Sequence, residues 1–185
     1  MHPSALRNAK DFFEIYAKNI KGGTVLDIGS QDVNGSLRQV VPSRFKYVGV
    51  DFEKAKNVDV VLENPYVFPF ADEAADILIT SSCLEHSEFF WLTWLEILRV
   101  VKPNGLIYMN VPSEGGFHPY PVDCWRFRLS AAPALQKWGK RAGFNPLLLE
   151  AYTDMEPPWH DYVAVFVKDW QHHHHYPDRI SSDEV

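Results

Sequence analysis

Cysteine and long apolar runs are both scarce in this sequence of 185 residues. The two cysteines, Cys83 and Cys124, lie far apart without the spacing of a metal-binding motif, which predicts reduced thiols rather than a disulfide framework. No segment approaches the roughly 20 consecutive apolar residues that cross a bilayer. The N-terminus also lacks the order of charged, apolar and small residues that is typical of a signal peptide. These absences predict a soluble cytoplasmic protein without a membrane span.

An excess of positive charge is missing as well. Lysine and arginine number 18 against 24 aspartate and glutamate residues, which gives a formal net charge of -6. Proteins that bind nucleic acids usually present a basic face, because neutralising phosphates supplies much of their affinity. The charge balance therefore predicts no nucleic-acid partner.

Short apolar runs alternate with helical patterns along most of the chain. A helical pattern opens the chain and ends at Gly22-Gly23, a second spans Glu88–Val101, and a third ends near Gly143. Five runs are typical of buried strands: Thr24–Ile28, Tyr47–Val50, Val58–Leu62, Asp76–Thr80 and Leu106–Val111. Such alternation predicts an α/β fold, a doubly wound and mostly parallel sheet with helices on both faces.

The C-terminal third predicts a hairpin and a tail. Two apolar runs, Pro146–Ala151 and Tyr162–Val167, flank a turn-rich stretch that permits a hairpin. The length suits one domain, which we place at residues 1–168. Residues 169–185 are polar and His-rich, which predicts a mobile or loosely docked tail. The run His172–His175 lacks acidic or cysteine partners at fixed spacing, so we predict no dedicated metal ligands.

The first predicted strand ends in a glycine turn, and the second ends in an acid. Residues 27–35 join the first strand to a predicted helix, and Asp51 follows about 20 residues after Gly29. Glycine allows close approach to a ligand, and a carboxylate at Asp51 suits two ribose hydroxyls. A dinucleotide site needs a second glycine two positions after the first, where this chain has Gln31. The turn therefore favours an adenosyl ligand without a pyrophosphate.

Several further segments carry a family resemblance. Phe68–Asp72, Ala75–Ile77 and Ser81–His86 resemble the "LPF-x-D…FD-x-V…LEH" series of class I S-adenosylmethionine-dependent methyltransferases, and Lys102–Gly105 looks like their "KPGG". The resemblance runs from about Thr24 to Lys168. It implies a seven-stranded sheet of order 3-2-1-4-5-7-6. It also implies S-adenosylmethionine as cofactor, S-adenosylhomocysteine as product, and methyl transfer to an acceptor.

The resemblance also implies a set of cofactor contacts. The methionine part would meet the first turn, the ribose would meet Asp51, and residues after strand four would pass under the cofactor. Asn64 stands where the family often has an aspartate that touches the adenine. The implied residues are Asp27, Gly29, Ser30, Gln31, Gly35, Asp51, Phe52, Asn64, Ser81, Ser82, Leu84 and His86.

The loop after strand five, residues 112–129, is predicted to meet the acceptor. Its segment 118–127 is similar to the "HPYP-x-DYWRF" of a subgroup that acts in cell-surface polysaccharide or other small-molecule pathways, with Cys124 replacing the tyrosine. Methyl transfer needs alignment and sometimes removal of one proton. We predict His118 and Asp123 as candidate bases. Tyr120, Trp125 and Arg126 are predicted to contact the acceptor, although Arg126 could instead brace Asp123 and Trp125 could be a core aromatic.

Three functions stay open at this point. The first is an active methyltransferase on a small-molecule or saccharide-type acceptor. The second is a methyltransferase-like binding or partner subunit without catalysis, and exposed aromatics near Trp91 and Trp94 would then supply a contact, for example in a homodimer. The third is an NAD-dependent oxidoreductase, which the missing second glycine disfavours.

Overall fold

The computed structural model describes residues 2–181, and their centre is one sheet of seven strands. The sheet order is β3-β2-β1-β4-β5-β7-β6, with β7 antiparallel to both of its neighbours. This confirms the predicted fold class, strand order and C-terminal hairpin. The strands are β1 Gly23–Ile28, β2 Phe45–Asp51, β3 Val60–Val61, β4 Ala75–Ser81, β5 Val101–Pro112, β6 Leu147–Thr153 and β7 Asp161–Val167.

Helices cover both faces of this sheet. Helix α1 (Pro3–Ile15) packs on one face, where Phe12 meets Tyr108 of β5. Helices α2 (Phe90–Val100) and α3 (Ala131–Arg141) cover the other face. Neighbouring residues of one strand pack into opposite cores, because side chains alternate across a sheet. Ile77 packs in the core on the side of α1, and Leu78 packs in the core on the side of α2 and α3. Both faces are therefore buried.

The prediction of a helix after the glycine turn is wrong. Residues 29–44 contain only one turn of 3-10 helix, Leu37–Gln39. Local side-chain bonds compete with a longer helix here: the Asp32 carboxylate accepts from Gly35 N, and Ser36 Oγ accepts from Arg38 N. Pro42 then prevents continuation. The connection between β1 and β2 is a loop braced by its own side chains.

The described part of the tail is docked rather than mobile or loose. Residues 170–175 form a 3-10 turn, and Tyr176 is 8% exposed within the core beside α1. Tyr176 donates to Asn104 O, and Ile180 N donates to the buried Glu150 carboxylate. The remainder of the predicted tail, residues 182–185, lies outside the described residues.

One of the two tryptophans predicted to be exposed is fully buried. Trp94 is 0% exposed, packs against Phe166 and donates to Leu135 O. It joins α2, α3 and β7, so it offers nothing to a partner. None of the helices in the described part of the chain has the length and apolar character that a membrane crossing requires.

Candidate functional site

The carboxyl ends of β1, β2, β4 and β5 meet at one edge of the sheet, where ligands bind in open α/β folds. The predicted turn follows β1, Asp51 ends β2, Ser81 ends β4, and the predicted acceptor loop follows β5. The topology therefore brings the predicted cofactor residues and the predicted acceptor residues to the same edge.

The glycine turn is tied directly to the acidic end of β2. Gly29 and Ser30 both donate backbone N–H groups to Val50 O, and Gln31 N donates to Asp51 Oδ2 at 3.0 Å. Gly29 has a φ of +81°, and a Cβ there would collide with the Cys83 side chain. The position requires glycine for both its conformation and its packing.

Asp51 keeps acceptor capacity despite its contacts. Its side chain accepts from the backbone N–H groups of Gln31 and Phe52, one on each oxygen. Burial raises the pKa of this carboxyl above its ordinary value, and these backbone bonds oppose the rise. A carboxylate offers about four lone-pair sites, and the backbone N–H of Glu53 also acts on this one, so acceptor capacity for a ligand hydroxyl remains.

The sequence analysis missed Asn57, whose side chain hydrogen-bonds to the glycine turn and to the residues around it. Its side-chain nitrogen reaches Ser30 O at 2.9 Å, Ser36 Oγ at 2.7 Å and the Tyr47 hydroxyl at 2.9 Å. Its φ of 72° is one that asparagine tolerates better than most residues. No sequence motif marks Asn57, because its partners come from the loop after β1 and from β2.

Asp27 is the most deeply buried acid of the turn region. It is 3% exposed, and the Tyr47 hydroxyl donates to it at 2.5 Å. Burial raises the pKa of Asp27 to about 7, partly opposed by that hydrogen bond. The carboxyl is therefore poised between its neutral and charged forms near neutral pH.

The other predicted cofactor residues fall into two environments. Phe52 is 44% exposed beside Asp51, and the exposed Asn64 closes a local turn through Tyr66 N. Beneath the turn, Leu84 is fully buried, and the buried Ser81 Oγ and Gln31 Oε1 have no hydrogen-bond partner among the described residues. Ser82 has a φ of +50° and donates its backbone N–H to Asn110 O. Gly35, with a φ of +117°, belongs to the loop bond with Asp32.

The turn after β4 contains a residue that the sequence analysis passed over. Glu85 is 0% exposed, and neither carboxylate oxygen accepts a hydrogen bond of normal geometry from another described residue. Burial raises the pKa of Glu85 to about 8, opposed first by its own backbone N–H. Next to it, the ring of His86 contacts Val122 O through Nδ1 at 2.5 Å and lies 3.7 Å from Glu85 through Nε2. Burial lowers the pKa of His86.

The predicted base Asp123 is instead engaged in a brace within the loop. Both of its oxygens accept from the Arg126 guanidinium, at 2.5 and 2.8 Å, and Oδ2 also accepts from His118 N. Arg126 holds the pKa of this carboxyl well below its usual range. Such a carboxylate is a poor proton acceptor, and the same pair occupies the guanidinium that was predicted to clamp the acceptor. We therefore do not carry Asp123 forward as a base.

The remaining loop residues pack beside aromatic rings of other segments. The His118 ring lies 5.0 Å from the His86 ring and 4.3 Å from the Trp159 ring, measured between centroids. Trp125 is 36% exposed and packs edge-on against Phe90, with its indole N–H on Ser87 O, while Tyr120 is 44% exposed. Trp125 therefore packs against Phe90 and leaves part of its ring exposed to solvent.

Comparison with known proteins places these observations in a family context. Residues 26–109 match the model of a methyltransferase domain family. A segment of 42 residues is 45% identical to an uncharacterized methyltransferase of Mycobacterium leprae and 43% identical to one of Mycobacterium tuberculosis, and it covers 23% of this chain. The segment spans only 16% of the length of those relatives.

Solved structures match over nearly the whole chain. The 1,6-didemethyltoxoflavin-N1-methyltransferase of Burkholderia thailandensis, crystallised with S-adenosylhomocysteine, has a TM-score of 0.65 and 16% identity, covering 90% of this chain and 79% of its own. A Haloferax volcanii protein in complex with the methyltransferase activator Trm112 has a TM-score of 0.63 and 16% identity, covering 89% of both chains. The [4+2]-cyclase SpnF has a TM-score of 0.61 and 15% identity over 89% of this chain and 81% of its own. The chain thus has the fold of S-adenosylmethionine-dependent methyltransferases, and residues 26–109 carry the match to the methyltransferase domain, in support of the predicted cofactor.

Proposed function

We propose that this chain binds S-adenosylmethionine and transfers its methyl group to a small-molecule or saccharide-type acceptor. The observation that carries the proposal is the bond between the two halves of the nucleoside site, from Gln31 N to Asp51 Oδ2. It holds the glycine turn and the acidic strand end at one fixed spacing. Asp51 then keeps acceptor capacity for a ribose hydroxyl.

The chain's own residues fit this cofactor. The Gly29 backbone leaves no room for a side chain toward Cys83, and the partnerless Gln31 Oε1 and Ser81 Oγ are polar atoms that a ligand can satisfy. Bound S-adenosylmethionine supplies an electrophilic methyl group on a sulfonium. The chain aligns the acceptor with it through the loop after β5, and we carry forward His118 as the candidate proton acceptor there, with Tyr120 and Trp125 as acceptor contacts.

Calorimetry tests the cofactor half of the proposal. S-adenosylmethionine and S-adenosylhomocysteine should bind, and NAD should not. Asp51→Asn should weaken S-adenosylhomocysteine binding by about tenfold or more, because charged acceptors form stronger hydrogen bonds than neutral ones. The exposed Glu14→Gln on α1 removes a comparable charge far from the strand ends and should bind as the parent does. Strong heat with NAD and none with the adenosyl ligands would reverse the assignment.

Transfer is tested separately from binding, because the fold also occurs in a protein named for a different reaction, the [4+2]-cyclase. Methyl-labelled cofactor is incubated with the chain and with pools of saccharides and small hydroxyl or amine compounds, and formation of S-adenosylhomocysteine is followed. His118→Ala should reduce turnover by about 100-fold with little change in cofactor affinity. Unchanged turnover in this variant would remove His118 as the base.

A second candidate is a binding or partner subunit without catalysis. Phe89 and Leu92, 46% and 40% exposed, lie at the start of α2, where Trp91 packs against both Phe89 and Trp125, and a neighbour of similar fold is found with the activator Trm112. Cofactor binding without transfer to any acceptor pool, together with a defined dimer or complex in sedimentation, would favour this candidate over the first.

A further inference from the structure

Three potential metal ligands meet beneath the acceptor loop. One ligand atom from each of Glu85, His86 and His118 can be chosen so that all three lie within 4.8 Å of one another. Two of them come from the turn after β4, and the third comes from the loop after β5. We propose that these three residues form a divalent cation site, of the Zn²⁺ class, at the acceptor side of the proposed methyltransferase centre.

The burial of Glu85 is the first reason. Its side chain is 1% exposed, and no other described residue donates a normal hydrogen bond to its oxygens. An isolated buried carboxylate costs several kcal/mol, so folded proteins protonate such groups, pair them or use them on metals, and a metal ion would displace the proton that burial favours on Glu85. Both backbone N–H groups of Cys124 and Trp125 donate to Glu85 O, so the loop is fastened over the residue without satisfying its carboxylate.

The two imidazoles are oriented as ligands. His86 Nδ1 lies on Val122 O, and His118 Nδ1 lies 3.0 Å from Gly116 O. A ring nitrogen that donates to a backbone carbonyl fixes the tautomer and leaves the other nitrogen unprotonated, the usual arrangement around metal-bound histidines, and His86 has this arrangement. His118 Nδ1 also lies 3.2 Å from the Arg126 guanidinium, which can only donate, so Gly116 O alone does not set the His118 tautomer. The free Nε2 of His86 faces Glu85 at 3.7 Å. Ligand atoms of a tetrahedral Zn²⁺ stand roughly 3.3 Å apart, so a small closure completes this pair.

The surrounding charges permit a cation. Arg126 is the nearest positive group, and its guanidinium lies 3.2 Å from His118 Nδ1. Its charge is offset by the bidentate pair with Asp123, while Glu85 contributes a further negative charge when ionised. The Asp123–Arg126 brace therefore positions His118 through its backbone N–H without opposing the ion at full strength.

The ligand set indicates the type of ion and its use. Two imidazoles and one carboxylate suit Zn²⁺ and related first-row ions better than Mg²⁺, which prefers oxygen ligands. Three protein ligands leave a position for a substrate atom. Exposure rises from 1% at Glu85 to 13% at His86 and 31% at His118, so the cluster opens toward the loop. An acceptor oxygen or nitrogen would occupy that position, which rests on the proposed function, whereas ion binding does not. With the ion bound, the metal would lower the pKa of that acceptor group, and His118 would serve as a ligand in place of its role as proton acceptor.

The experiment uses Zn²⁺ alone and the full chain. His172 to His175 are first replaced by asparagine, because four adjacent histidines in the tail bind metal ions nonspecifically. In this background we expect one equivalent of Zn²⁺ in calorimetry, and Glu85→Gln or His118→Asn should weaken it by roughly 100-fold. The matched controls Glu88→Gln, an exposed acid three residues away, and His160→Asn, an imidazole outside the cluster, should bind as the background does.

Two further readouts make the outcome decisive. X-ray absorption at the zinc edge should show only nitrogen and oxygen ligands at about 2.0–2.1 Å with imidazole scattering. Circular dichroism of each variant reports an intact fold, and titration with S-adenosylhomocysteine tests the proposed function independently. Zn²⁺ binding that is absent from the background, or that is unchanged in folded Glu85→Gln, overturns the metal site even if S-adenosylhomocysteine binds. Glu85-dependent Zn²⁺ binding without S-adenosylhomocysteine binding would instead uphold the site and reject the proposed cofactor.

Discussion

At the strand ends, the backbone conformation and the packing depend on the identity of single residues such as Gly29. Gly29→Ala should lower the free energy of unfolding by about 2–4 kcal/mol, because alanine at a φ of +81° is strained and its Cβ meets Cys83. Urea unfolding followed by fluorescence measures the change. Gly116→Ala, where a Cβ meets nothing within 4 Å, should stay within about 0.5 kcal/mol of the parent. Equal effects of the two substitutions would contradict this account of the turn.

The buried Asp27 makes the free energy of unfolding depend on pH. Its folded pKa of about 7 lies above the unfolded value of roughly 3.9, so the folded chain holds more protons between these values. The contribution of Asp27 to stability therefore falls as pH rises through this window and is level above it. Asp27→Asn does not titrate. Its stability relative to the parent should rise by about 3 kcal/mol between pH 5 and pH 8, as measured by urea unfolding at each pH. A constant difference across that range would refute the burial argument.

At the scale of elements, the sequence predicts strands better than the connections between them. Four of the five predicted buried runs and the hairpin are recovered, because a sheet covered on both faces needs continuous apolar segments such as Asp76–Thr80. The third predicted run, Val58–Leu62, shortens to Val60–Val61 at the sheet edge, where neither residue is buried. The missing helix after Gly29 depends on side-chain bonds at Asp32 and Ser36, which compete locally and leave no periodic signal. Glu85 was missed for a similar reason. Only the three-dimensional structure shows that its carboxylate is buried without a hydrogen-bond partner among the described residues.

The connection from β3 to β4 provides a test of such a loop. Arg99 of α2 donates to Phe68 O and Phe70 O and pairs with Asp72 and Glu96, which fastens residues 68–72 without a helix. Arg99→Ala should cost about 2–3 kcal/mol, since two backbone carbonyls and the part-buried Glu96 lose their donor. Arg99→Lys should recover only part of this, because an ammonium cannot fork between the carbonyls. The exposed Arg141→Ala serves as the control in the same urea series, and a loss there as large as at Arg99 would point to a general charge effect.

At the scale of the whole molecule, the segment after α1 and the described part of the tail are joined through β6. Glu150 of β6, 5% exposed, accepts from the Tyr16 hydroxyl after α1 and from Ile180 N and Ser181 N of the tail. Tyr176 fills the core beside the same helix and donates to Asn104 O before the main part of β5. Elements from the first, middle and last thirds of the sequence therefore share one buried network. Composition alone hides it, because the tail is polar around a single anchoring tyrosine.

Removing residues 169–185 should therefore lower the free energy of unfolding by about 3–5 kcal/mol, the range of a lost buried aromatic. For a chain of this size, that corresponds to a fall in Tm of roughly 10 °C. The double-mutant cycle with Glu150→Gln separates the anchor from the mere shortening of the chain. Glu150→Gln should be costly in the full chain, where the carboxylate accepts two backbone N–H groups, and much less costly after truncation, where those donors are gone. Additive effects in the cycle would mean that the tail and Glu150 act independently, and His174→Asn, at an exposed position, should leave the Tm unchanged.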